Sequence, residues 1–155
     1  MKKFFVLLGL LLFFVTPVFS ATWVQITEKS YIDKDSISTF VDDYNIEHKG
    51  QIIYWRKDLN DGSEYFKNIE KQYKKKIWYV MCQGIVNTNN KTLACKTVIF
   101  YDLKGQSIET STMPDVLLEY IRIVPNSFGE LLYSVVSDKN LLDKIYEAQL
   151  EKGNW

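Results

Sequence analysis

The side chains that most often carry out catalysis are scarce in this sequence. His48 is the only histidine, and it lies between Glu47 and Lys49 in a polar segment, where we expect it to be exposed. A catalytic triad built on His48 would need a nearby carboxylate and a serine, and no sequence motif predicts such a group. Asp42 and Asp43 would point to opposite faces of a strand, so they cannot form a convergent acid–base pair. The sequence therefore indicates a protein that is not an enzyme.

Two cysteines, Cys82 and Cys95, lie in a segment with the pattern of a β-hairpin. A two-residue turn at Thr88 and Asn89 would place Cys82 directly opposite Cys95, where the Cα atoms of a non-hydrogen-bonded pair approach to about 4.5 Å. This spacing suits a disulfide, which is common in exported proteins with an even number of cysteines. We predict a Cys82–Cys95 disulfide, with two free buried thiols as the alternative. Two cysteines and His48 cannot complete a tetrahedral set of ligands, so no metal or other cofactor is expected.

A run of lysines is the most distinctive charged feature. Lys71, Lys74, Lys75 and Lys76 flank Tyr73, and these five residues form a candidate binding patch. One interpretation is a contact surface for acidic protein segments or sulfated glycans, because clustered lysines attract anions. The alternative is an ordinary solvated surface whose charge is balanced by nearby acidic residues.

The overall charge excludes one class of partner. The chain has 19 basic and 19 acidic residues and a formal net charge of zero. Proteins that bind nucleic acid normally carry a strong basic excess, so nucleic acid is not an expected partner.

The first residues have the pattern of a secretory signal peptide, which we assign to residues 1–20. A short positive region precedes an unbroken apolar segment, and Val18 and Ser20 fit the −3 and −1 positions of a signal-peptidase site. We expect cleavage before Ala21. The alternative is an uncleaved anchor, although a membrane-spanning helix needs about 20 apolar residues. No cysteine follows the apolar segment, so the protein is not expected to be a lipoprotein.

Residues 21–155 have the length of a single domain, and their pattern changes from strands to helices along the chain. Strands are predicted at about 22–27, 30–33, 46–59, 75–86, 91–102 and 107–111. The charged segment 64–76 fits neither pattern well. Ser127 and Glu130 predict the capped start of a helix, and a second helix is expected from about Asp138 to Lys152. The fold class is therefore α+β, with an antiparallel sheet of about five to six strands packed against C-terminal helices.

The second face of the predicted hairpin is apolar near its base, where Ile77, Tyr79 and Met81 alternate with the residues of the first face. A sheet with one solvated face usually alternates cleanly between apolar and polar residues. Two interpretations fit this pattern. Either loops cover the second face, or a partner protein binds to it.

Four segments together resemble the surface-adhesin protein E family of bacterial exported proteins. The segments are Tyr31–Ile37, Tyr54–Lys57, Tyr101–Ile108 and Ile123–Tyr133, and their order and spacing match across nearly all of the predicted domain. The resemblance implies a compact domain with an antiparallel sheet and a C-terminal helix, at the cell surface or in the periplasm. It also implies a protein partner, because the family's namesake adheres to host extracellular-matrix proteins such as vitronectin and laminin.

The chain departs from the family pattern at two places. Ser137 stands where family members often carry a cysteine, so a sheet-to-helix disulfide is not available and the Cys82–Cys95 pairing is favoured. The namesake is also a lipoprotein, whereas this chain lacks the required cysteine. We interpret the chain as a non-enzymatic exported binding protein of the adhesin E type, either a monomer or a dimer. The alternative is a periplasmic accessory or inhibitor-like module that binds another protein.

Overall fold

The computed structural model describes residues 21–153. The predicted signal peptide, residues 1–20, lies outside the described residues. Seven strands form one sheet: β1 (Trp23–Gln25), β2 (Ser30–Val41), β3 (Glu47–Leu59), β4 (Ile77–Asn87), β5 (Thr92–Asp102), β6 (Ser107–Thr112) and β7 (Ile121–Arg122). Three α-helices accompany the sheet: α1 (Glu64–Tyr73), α2 (Phe128–Ser137) and α3 (Lys139–Glu151).

The sheet is an antiparallel meander. Strands β1 to β6 lie side by side in the order of the sequence, and β7 pairs with the end of β5 next to the β4–β5 connection. Two helices follow the strands, so the predicted α+β class is confirmed. Helix α1, inserted between β3 and β4, lies in the segment that the sequence pattern left unassigned.

The β4–β5 hairpin has a different register from the predicted one. Asn87 pairs with Thr92, so the strands are joined by residues 88–91 instead of a two-residue turn. Lys91 closes this longer connection in the left-handed region, with φ of 54°. A bulge then shifts the register between Gln83 and Gly84. Directly opposed cysteines were therefore a wrong expectation, for Cys82 faces Val98 and Cys95 faces Gly84.

The three helices pack against one face of the sheet. Helices α2 and α3 bury Leu132, Val135 and Leu142 against Tyr54 and Val86 of the central strands. Each such fully buried apolar side chain stabilises the fold by about 1.5–3 kcal/mol. None of the helices within residues 21–153 has the length and apolar character needed to cross a bilayer.

Helix α1 covers the other end of the same face. Its residues Phe66 and Ile69 pack on Ile77 and Val80 of β4. Because side chains alternate along a strand, Val80 and the more distant Val86 lie on the same side of β4. The helices thus leave a gap between α1 and α2 on this face, above the middle of β3 and β4.

The opposite face is covered at one end by a loop. Phe40, Ile85 and Ala94 are buried there, and Leu118 from the segment between β6 and β7 packs against them. This segment contains a short 3₁₀ turn at Asp115–Leu117. A loop thus covers the end of the second face that carries Ile85 and Ala94, and not the base of the hairpin. The assignment of Ile77 to the second face was wrong, because the bulge between Ile77 and Tyr79 turns Ile77 towards helix α1.

Candidate functional site

The candidate patch lies where helix α1 ends and the chain turns into β4. Lys71 is in the last turn of the helix, and Lys74 caps its C-terminus in the left-handed conformation, with φ of 53°. Lys75 and Lys76 form the short connection to β4, and all four lysines are exposed. Cationic side chains at a helix C-terminus are favourable because they face the negative end of the helix dipole. We call Lys71, Lys74, Lys75 and Lys76 the basic patch.

Only part of this charge is neutralised locally. Lys76 Nζ lies 2.8 Å from Glu70 Oε2, and the hydrogen bond from Lys76 is the main reason that the pKa of Glu70 is below its ordinary value. Glu70 also accepts a hydrogen bond from the backbone N–H of Ile77, 3.1 Å away, which fixes its position. Within residues 21–153, Lys71, Lys74 and Lys75 form no ion pair. The patch therefore retains a net positive charge.

Tyr73 does not share the exposure of the lysines. Its ring lies 5.7 Å from that of Phe100 on β5, and it packs against the cluster around Ile77. Tyr73 thus anchors helix α1 to the sheet. Its position seven residues after buried Phe66, at the helical repeat, is the sequence signal for this inward orientation.

Trp78 supplies an exposed aromatic surface beside the patch. It follows Lys76 by two residues and is 49% exposed, with its ring edge-on to Tyr79 at 5.1 Å. A β-bulge in β4 opposite β5 accounts for this orientation, because the register shifts between Ile77 and Tyr79. The exposed aromatic residue that lies next to the patch in sequence is therefore Trp78, whereas Tyr73 is only partly exposed.

The two cysteines are both free thiols, and both line the same cavity. They lie on the same face of the sheet, where Cys82 is buried and Cys95 is exposed. The hydrogen bond between the thiols raises the pKa of Cys82, and burial raises it further. The same hydrogen bond lowers the pKa of Cys95. A disulfide thus stays a prediction.

His48 is less exposed than the sequence suggested. Its Nε2 atom lies 2.9 Å from Asp42 Oδ2, and its ring stacks on Phe40 with a centroid distance of 5.4 Å. The contact lowers the pKa of Asp42. These contacts join the ends of β2 and β3 across their turn. In the described part of the chain, no three His, Cys, Asp or Glu residues are grouped so as to hold a metal ion.

Comparison with known proteins links the chain to one fold. No family model matches the sequence, and no curated protein matches it at a significant level. A crystal structure of protein E from non-typeable Haemophilus influenzae matches with a TM-score of 0.52 and 19% identity, over 86% of this chain and 92% of that chain.

Two further Haemophilus influenzae protein E structures agree with this match. Crystal form II matches with a TM-score of 0.50 and 18% identity, over 78% of this chain and 90% of that chain. Another structure gives a TM-score of 0.50 and 19% identity, over 83% of this chain and 91% of that chain. The chain thus shares the fold of protein E, as the family resemblance of the sequence implied.

Proposed function

We propose that this protein is a non-enzymatic, exported binding protein of the adhesin E type. Its partners are host extracellular-matrix proteins such as vitronectin and laminin. The shared fold and the four sequence segments support this proposal. The observation that carries it is the group of exposed lysines at the end of α1, next to exposed Trp78.

The patch and Trp78 have complementary roles in binding. The lysines attract an acidic partner over a distance and orient it, which mainly raises the rate of association. Trp78 supplies a large apolar contact area at a small cost in conformational entropy, as aromatic residues do in many protein interfaces. Exposed charges are screened over about 8 Å at physiological ionic strength, so binding should weaken as salt is added.

The test replaces Lys74, Lys75 and Lys76 together by glutamine. We expect weaker binding to immobilised vitronectin at low salt, and a smaller dependence of the affinity on salt concentration. The matched control replaces Lys139, Lys144 and Lys152, which are exposed on and just after α3, and removes the same charge from a distant surface. This control should bind like the wild type. Equal and salt-independent binding by both variants would remove the basic patch from the site.

The alternative function is that of a periplasmic accessory or inhibitor-like module that binds another protein. The signal-peptide pattern of residues 1–20 is consistent with this location as well as with the cell surface. The basic patch would then attract an acidic segment of a periplasmic partner. Failure of the wild-type protein to bind vitronectin and laminin at micromolar concentration would favour this function over adhesion.

A further inference from the structure

A second candidate site lies away from the basic patch, in the gap between α1 and α2. It is a cavity of about 670 Å³ on the helix-covered face of the sheet. Phe66, Val80, Val98 and Phe128 belong to its apolar wall, and Arg56 and Asp58 contribute charged groups. Cavities of about 300–1,000 Å³ with apolar walls and a few polar groups are typical of small-molecule sites.

Arg56 is held in place on two sides. Its Nε atom donates a hydrogen bond to Asp58 Oδ2 at 2.8 Å, and its guanidinium lies 5.2 Å from the centre of the Phe128 ring. Arg56 and Asp58 are two residues apart on β3, so both side chains lie on the same face of the sheet. In the described part of the chain, the two Nη groups of Arg56 have no hydrogen-bond partner. These N–H donors are therefore available to a ligand.

Asp58 offers a hydrogen-bond acceptor to a ligand. Its Oδ1 atom is buried and has no hydrogen-bond partner within residues 21–153. Two other buried carboxylate oxygens each have a lysine beside them. Asp115 Oδ1 lies 2.6 Å from Lys96 Nζ, and Asp143 Oδ1 lies 2.7 Å from Lys34 Nζ. A buried acceptor without a partner is unfavourable, so a ligand that donates a hydrogen bond to Asp58 Oδ1 would be favoured at this position.

The charge around the cavity indicates a neutral ligand. Arg56 is already paired with Asp58, and the remaining charged residues of the wall are Glu28, Lys29 and Asp61. Acidic residues therefore exceed basic ones by one, and an added carboxylate would meet net repulsion. A neutral group that both accepts and donates a hydrogen bond fits Arg56 and Asp58 together.

We propose that the cavity binds a largely apolar small molecule with a primary amide or lactam as its polar group. In these groups the C=O and an N–H point the same way, so the oxygen accepts from Arg56 Nη while the N–H donates to Asp58 Oδ1. The apolar part of the ligand packs between Phe66 and Phe128. This site is independent of the basic patch and of the proposed adhesion.

The test uses 3-phenylpropionamide as the probe, with 3-phenylpropionate and N,N-dimethyl-3-phenylpropionamide for comparison. Binding to the purified, reduced protein is followed by changes in the NMR signals of Val80 and Val98. For a ligand of this size we expect a Kd on the order of 1 mM. The dimethyl amide lacks the N–H donor and the carboxylate adds a charge, so both should bind several-fold more weakly.

Arg56→Lys tests the recognising residue, because it keeps the charge and loses the planar fork of donors. We expect roughly tenfold weaker binding of the amide probe, the loss of one hydrogen bond to a charged group. Arg122→Lys is the matched control, since Arg122 is exposed on β7 and is the only other arginine.

Several results would overturn the proposal. One is the absence of NMR changes at 10 mM probe, roughly ten times the expected Kd. Others are tighter binding of the carboxylate, or equal binding of all three compounds. If Arg56→Lys does not fold, the comparison of the three compounds on the wild type still decides the outcome.

Discussion

Glu70 joins three parts of the chain at the base of the basic patch. Its Oε1 atom accepts hydrogen bonds from the side chain of Asn60 and the backbone of Ile77, and Oε2 accepts one from Lys76. These donors favour the ionised carboxylate, which lowers the pKa of Glu70 from its ordinary value of 4.5. A lowered pKa stabilises the fold above the ordinary value, and this contribution is lost as the pH falls through the lowered pKa.

We therefore expect Lys76→Gln to raise the pKa of Glu70 towards 4.5, since the hydrogen bond from Lys76 is the largest cause of the shift. The pKa can be measured by NMR titration of the Glu70 side-chain carboxyl. Lys71→Gln is the control, because Lys71 is in the same helix and, among the described residues, forms no ion pair with the Glu70 carboxylate. An unchanged pKa in Lys76→Gln would show that the ion pair does not form in solution.

Oxidation of Cys82 and Cys95 is a second prediction for single residues. Cys95 pairs with Gly84, two residues after Cys82 on the same face of the sheet, and both cysteines line the same cavity. In an oxidising compartment we expect them to form a disulfide, which would close a loop of about 14 residues and stabilise the protein by about 3 kcal/mol. Peptide mapping without reductant should find the two peptides linked. Two thiols that react with an alkylating reagent in the exported native protein would contradict the prediction.

The cysteines also show how far a local pattern determines residue contacts. The hairpin and the face shared by the two cysteines were predictable from strand alternation. The register was not, because it depends on the left-handed conformation of Lys91 and on the bulge next to Gly84. Lysine is not a residue that marks a left-handed turn, and the extra residue of the bulge, Lys96, lies on the strand opposite Gly84, so neither feature has a distinctive residue at the decisive position. A small error in turn length was enough to move the partner of Cys82 from Cys95 to Val98.

At the scale of elements, the helices show which sequence signals are reliable. The second C-terminal helix was expected from about Asp138 to Lys152, and α3 spans Lys139–Glu151 with Asp138 as its cap. Helix α1 was not assigned, although Phe66, Ile69 and Tyr73 have helical spacing. Its many lysines and glutamates obscured this short apolar stripe.

The start of α2 is supported by the side chain of Ser127. Its hydroxyl oxygen accepts a hydrogen bond from the backbone N–H of Glu130, as the capping pattern predicted. The Glu130 side chain, however, accepts from the backbone of Asn126 at 2.6 Å, one residue before the cap. Asn126 has φ of 58°, and this left-handed turn brings its N–H within reach of Glu130.

Ser127→Ala removes this cap from a helix that contributes Leu132 and Val135 to the core. We expect the free energy of unfolding to fall by about 1 kcal/mol, measured by chemical denaturation. Ser134→Ala is a matched control inside the same helix, where the hydroxyl bonds back to the carbonyl of Glu130. It should have little effect, because such bonds do not stabilise a helix. Equal stability of wild type and Ser127→Ala would show that the cap is not needed.

At the scale of the molecule, ion pairs between residues that are distant in sequence link separate loops of the chain. Lys96 on β5 lies 2.9 Å from Asp43 and 2.6 Å from Asp115, and so links the β2–β3 turn to the loop after β6. No local pattern joins residues so far apart in sequence. The cavity was not predictable from a local pattern either. The spacing of Arg56 and Asp58 predicts only that their side chains lie on the same face of the sheet. The gap above them depends on how α1 and α2 pack.

Export of the whole protein is tested first by its mass. The signal-peptide pattern predicts a mature chain that begins at Ala21, so intact-mass measurement of exported material should show the loss of residues 1–20. Signal peptidase requires a small residue at the −1 position. Ser20→Phe should therefore prevent cleavage and preserve the full-length mass. A full-length mass for the exported wild-type protein would contradict the signal-peptide prediction.

The location of the mature protein then distinguishes its two proposed functions. An adhesin has to present its contact surface outside the cell, where Lys74 and Lys75 are accessible to an amine-reactive reagent that does not enter intact cells. We expect labelling of these exposed lysines in intact cells, with a known periplasmic protein as the unlabelled control. A protein of the periplasm would instead escape labelling and be released by osmotic shock. That result would contradict adhesion and favour an accessory or inhibitor-like role, because the basic patch would then face only partners within the periplasm.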